Sequence, residues 1–176
     1  MSFKNNSFIS AIIIFGLSFI THNLYKWFPN DLFAILFPVN ESAWEHMKII
    51  YTTSIIYNIF EFFLKHKHNN SYPFAASITS IFNVLIYLLI YIPLFYIKMD
   101  SLIVDLVLLY ITLHLSQNLK YRILKHNSQN NLLNYFAIFL IIICFIIFGY
   151  FTYNPPKNDF FLDKKSQKYG INIYIV

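Results

Sequence analysis

The residues of this chain best equipped for chemistry gather in one short string, Asn40-Glu41-Ser42-Ala43-Trp44-Glu45-His46-Met47-Lys48, with His22 before it and Asp105 after it. Two imidazoles and two or three carboxylates match the donor types of a divalent-metal site. They match equally a general acid and base working without a metal. No HExxH spacing accompanies them, nor a Gly-rich phosphate loop or a GxSxG elbow. Part of the string has a purely local account. Ser42-Ala43-Trp44-Glu45 reads as a capping box, in which the serine hydroxyl and the glutamate each satisfy a free backbone amide. Glu41 and Glu45 suit the positive end of a helix, and Trp44 suits an aromatic belt. Capping does not explain His46, four residues after Ser42 on one helical face, nor His22. The catalytic candidates are therefore His22, Glu45, His46 and Asp105. The binding candidates are Asn40, Glu41, Ser42, Trp44 and Lys48. A metal would draw on His22, His46, Glu41 and Glu45.

Composition decides what kind of scaffold must position these groups. Of 176 residues 57% are hydrophobic, 20% aromatic and only 12% charged, with a net charge of +5. Soluble domains carry roughly a quarter charged residues, so too little charge is present to cover a water-facing surface. One cysteine excludes an intrachain disulfide framework and multi-cysteine metal sites. The basic residues flank apolar runs instead of forming a stripe, which excludes nucleic acid as the partner and leaves membrane lipid. The fold class expected is all-α: an integral membrane bundle forming a single domain.

Five segments are long enough to span hydrocarbon, over residues 8–25, 43–64, 74–96, 102–124 and 132–153. Residues 31–39 are too few to cross and read as an interfacial or re-entrant segment. A polar tail follows over 154–176. With five crossings, His22, the 41–48 string, Asp105 and the tail meet at one membrane face. Lysine and arginine in the short loops number six on the N-terminal side against three on the other, and the tail turns this to six against seven. The short loops put the N-terminus in the cytoplasm and the tail outside.

Polar side chains recur at helical steps: His46, Thr53, Tyr57 and Glu61 in the second span, Ser77, Ser80, Asn83, Tyr87 and Tyr91 in the third, and Asp105, Thr112 and Ser116 in the fourth. Such stripes serve interhelical hydrogen bonding or line a polar cavity. Glu61 and Lys65, an i,i+4 pair, read as a surface ion pair. The fifth span is almost wholly apolar and reads as lipid-facing.

Residue for residue, His22 with Tyr25 and Trp27, then Phe37-x-x-Asn40-Glu41-Ser42-x-Trp44-Glu45-His46-x-Lys48, resembles domain-of-unknown-function family 6512, a bacterial polytopic membrane family. Phe151-Thr152-x-x-Pro155-Pro156, Phe161-x-Asp163 and Tyr169-Gly170 are similar to that family's closing motif. Lys164-Lys165-Ser166-Gln167-Lys168 departs from it, standing where a Pro- and Gly-containing turn is expected. The resemblance implies fold and membrane placement and brings no activity. Two function classes follow from the residues: a membrane-embedded hydrolase or transferase, or a non-enzymatic subunit binding a solute, ion or partner.

Overall fold

In the computed structural model, residues 3–67, 69–99, 101–126 and 131–171 are described. The last five residues of the polar tail lie outside them. The elements are α1 (Phe3–Thr21), α2 (Leu24–Trp27), α3 (Asp31–Leu36), α4 (Ala43–Glu61) running into a π-helical turn (Phe62–His66), α5 (Tyr72–Tyr96), α6 (Leu102–His126), α7 (Asn131–Tyr153), β1 (Leu162–Asp163) and β2 (Lys168–Tyr169). The chain is an all-α bundle.

Among the described residues, four helical stretches are long and apolar enough to cross a membrane: Asn6–Trp27, Tyr72–Tyr96, Leu102–His126 and Asn131–Tyr153. The second expected span forms as α4, yet it is not among those four. Its charges explain this. Glu45, Lys48 and Glu61 are buried in the bundle along with most of α4, 14 of whose 19 residues are buried. α4 is thus the central helix, solvated by protein side chains. α1 packs against α4 and α6, α5 packs against α4, α6 and α7, and α3 packs against α7.

Between helices in lipid, small residues and hydrogen bonds do the work that hydrophobic burial does in water, each such bond contributing about 0.6 kcal/mol. Ser7 donates to Asn118 at 2.7 Å, the Thr21 and Thr53 hydroxyls lie 2.6 Å apart, Asn58 donates to Ser80 at 3.2 Å, and Ser77 donates to the Ala137 carbonyl at 3.0 Å. Thr53, Ser77 and Ser80 of the expected stripes thus bond between helices, whereas Thr112 and Ser116 donate to carbonyls of their own helix.

The segment expected to lie in the interface contains α3, whose six residues rise only about 9 Å. Asn30 caps it by accepting from the Phe33 amide at 3.0 Å. Tyr153 donates to Asp31 at 2.8 Å, and Gly149 lets Ile35 approach α7 so closely that a Cβ there would sit 3.3 Å from Ile35 Cγ1.

After α7 the tail folds back as an antiparallel pair, Leu162 opposite Tyr169 and Asp163 opposite Lys168. Gly170 fixes its end. Its φ is +59°, and a Cβ would meet the Thr152 carbonyl at 2.4 Å. Only glycine fits both restrictions. The Gly170 carbonyl accepts from Asn40 at 2.9 Å, and the Ile171 amide donates to Thr152 at 3.0 Å, so the tail is stitched to the loop before α4.

Candidate functional site

His22 follows the last turn of α1, and the loop after α3 delivers Glu41 just ahead of α4, whose first turn carries His46. Nε2 of His22 and Nε2 of His46 each lie 3.5 Å from the same Glu41 oxygen, Oε2. The imidazole rings stack with centroids 5.7 Å apart at 28°. One ligand atom from each of the three residues lies within 4.8 Å of the others. His22 and His46 hold the Glu41 carboxyl well below the usual carboxylate range, against the opposing effect of partial burial.

These distances suit a metal better than direct hydrogen bonds. At 3.5 Å the histidine–carboxylate contacts exceed the 2.7–3.2 Å range of good N–H···O bonds. Tetrahedral zinc ligands held at about 2.05 Å stand about 3.3 Å apart. Two of the three edges of such a ligand face are thus already near the required length, and the third is no longer than 4.8 Å. Two His and one Glu leave a fourth position for water or substrate.

A cavity of about 560 Å³ opens beside them. His22, Glu41 and His46 line it, as do Asp105 from α6 and Asp163, Lys164 and Lys165 from the tail hairpin. Asp105 sits on the cavity wall but does not join the cluster of ligand-spaced atoms. Asp163 is committed to its turn, accepting from the Lys165 amide at 2.8 Å and Ser166 Oγ at 2.7 Å.

Glu45, expected beside His46 in catalysis, does not line this cavity. Consecutive helical residues point about 100° apart, and Glu45 turns into the protein. There it pairs with Lys48 at 2.5 Å and accepts from the Val39 amide at 3.0 Å. Lys48 is also satisfied, donating to the Ala34 carbonyl at 2.7 Å and to Thr152 at 2.8 Å, so its three protons have three acceptors. This closed cluster locks α3, α4 and α7 together, and it offers neither residue to a ligand. Ser42 caps α4 by accepting from the Glu45 amide at 3.4 Å. The reciprocal half of the box is altered, because Asn40 takes the Ser42 amide at 2.9 Å and Glu45 takes that of Val39. Trp44, expected in an aromatic belt, instead stacks on Phe161 and touches Phe148 and Phe151. Asn40, Ser42, Trp44, Glu45 and Lys48 therefore build the wall on which Glu41 and His46 are mounted.

A second ionic cluster lies at the opposite end of α4. Glu61 pairs with Lys120 of α6 at 2.6 Å, both buried, which corrects the expected surface pair with Lys65. Tyr57, Tyr72 and Tyr121 donate to the Glu61 carboxylate, and Asn58 accepts from Lys120 at 2.9 Å. The ammonium also lies 5.1–5.8 Å from the three tyrosine ring centroids. In the sequence Lys120 resembles a loop charge. Its signal was the step of four that continues Thr112 and Ser116.

The model of the family of unknown function DUF6512 matches residues 2–171. The chain belongs to that family. The match takes in both histidines, the 41–48 string, both ionic clusters and the tail hairpin as far as Ile171. No curated protein and no solved structure matches the chain. What the DUF6512 chain shown here can do is accordingly read from its own side chains.

Proposed function

We propose that this membrane protein binds a divalent metal ion of the zinc class through His22, Glu41 and His46 and uses it as a hydrolytic centre at the extracytoplasmic membrane boundary. The observation carrying this reading is the ligand-spaced His–Glu–His triplet on the wall of a ligand-sized cavity. His22, Glu41 and His46 would hold the ion, which would supply a Lewis acid and an activated water for attack on an ester or phosphoester. Asp105, on the same cavity wall, would accept a proton from that water and return it to the leaving oxygen.

Two features support the orientation. Lys48 and Lys120 are buried in ion pairs and should not be counted as loop charges. Without them the short loops hold five basic residues on the N-terminal side, against Lys26 and Lys98 on the other. Lys164 and Lys165 of the tail line the cavity. Elemental analysis of purified full-length protein tests the metal: about one zinc per chain is expected, and none in His22→Ala or His46→Ala. A wild-type protein without metal after zinc loading and desalting overturns the reading. Thiol labelling of Cys introduced at Lys67 and at Lys157 from outside intact cells tests the orientation, with labelling expected only at 157.

A further inference from the structure

Resting on the metal reading above, we propose that the cavity takes a membrane-resident anionic amphiphile, a lipid with a net-negative phosphate headgroup that lies against His22, His46 and the lysine pair while its chain runs inward along α1 and α6. Three observations lead there.

Polarity in the cavity changes with depth. At the boundary stand the histidines, Glu41 and the tail lysines. One turn inward, the walls are mainly apolar, with Phe19 on α1, Ile49 and Ile50 on α4, and Leu106 and Leu109 on α6, interrupted by Ser18, Tyr87 and Asp105. A small polar substrate gains nothing from that apolar floor, whereas an amphiphile matches both halves. That apolar wall also reaches the outer surface of the bundle: Phe19 is 49% exposed and Leu102 74% exposed, on the two helices flanking the cavity. In a bilayer these side chains meet acyl chains, so a lipid reaches the site from the side without leaving the membrane.

Charge is the third observation. Apart from the histidines, Glu41, Asp105 and Asp163 against Lys164 and Lys165 leave the wall one charge negative, which repels an anion. A divalent ion reverses that sign, so anion binding is coupled to metal loading. Lys164 is held in place, its ammonium 4.6 Å from the Phe95 ring centroid.

The test uses full-length protein in neutral detergent, loaded with zinc and titrated calorimetrically with dihexanoyl phosphatidylglycerol, dihexanoyl phosphatidylcholine and inorganic phosphate. Phosphatidylglycerol is expected to bind about tenfold tighter than phosphatidylcholine, the sum expected of two partly exposed charge contacts. Chelation should abolish the preference. Lys164→Ala/Lys165→Ala should keep its zinc and lose the preference, and Leu106→Trp, which fills the apolar floor, should keep zinc and weaken both lipids. Equal binding of the two lipids by zinc-loaded protein overturns the inference and leaves the metal reading standing. Displacement of phosphatidylglycerol by equimolar phosphate also overturns it, because the site then selects a free anion. Failure to load zinc overturns the metal reading and the inference with it.

Discussion

Nε2 of His46, in the first turn of α4, lies 3.5 Å from Oε2 of Glu41, outside the helix, whereas the adjacent Glu45 faces away into an ion pair with Lys48. One step along the helix separates a group facing the cavity from a group sealed in the protein.

Replacing a ligand should remove metal without unfolding the chain. His22→Ala, His46→Ala and Glu41→Gln should each weaken zinc affinity by more than about 100-fold, since even outer-shell changes cost 10–100-fold. Competition against a colorimetric chelator measures this. Retention of wild-type affinity in all three variants would remove the triplet from consideration as a metal site.

Glu45→Gln should behave in the opposite way. It leaves the buried Lys48 ammonium without its counter-charge, and breaking a buried pair costs about 3–5 kcal/mol. A lower melting temperature in detergent with zinc stoichiometry intact is the expected result. Normal stability with lost metal would return Glu45 to the ligand set.

Lys120→Met should destabilise the bundle by a similar amount, about 3–5 kcal/mol, because Glu61 keeps its charge in the interior. Combining it with Glu61→Gln removes that charge, and the double variant should recover much of the loss. Thermal unfolding of both single variants and the double variant gives the coupling energy. Additive losses would mean that the two side chains act independently.

Gly170→Ala should undock the tail. A side chain at φ +59° is strained by about 1–3 kcal/mol, and its Cβ collides with the Thr152 carbonyl. Faster proteolysis between residues 157 and 168 is expected, along with weaker retention of anionic lipid, since Lys164 and Lys165 ride on that hairpin. Proteolysis at the wild-type rate would show that the tail docks without the glycine.

Glu41 makes a narrower point about pH. The two imidazoles lower its carboxyl pKa in the folded, metal-free protein. Its contribution to stability is therefore present above the ordinary carboxylate range and is lost as pH falls toward the lowered folded value. Acid titration of metal-free protein should show Glu41→Gln losing less stability than the wild type below the ordinary carboxylate pKa. Parallel curves would mean that the imidazoles do not stabilise the Glu41 charge.

The amino-acid sequence by itself determined that the chain is an all-α membrane bundle, and it marked residues 31–39 as too few to cross. Apolar run length and helical period are local properties, and a six-residue helix is short wherever it packs. Alternating helix direction likewise assigned His22, His46, Asp105 and the tail to one end, where one cavity gathers them. Tertiary structure alone decided which carboxylate meets the histidines: Glu45 adjoins His46 in sequence yet turns into the protein, whereas Glu41, five residues before it, is brought to both imidazoles by the loop ahead of α4. It also decided that Glu61 pairs with Lys120, 59 residues away, instead of with Lys65 on the same helix. A charge that must be buried is stabilised by whichever opposite charge shares its desolvated interior, and helix packing determines which one that is.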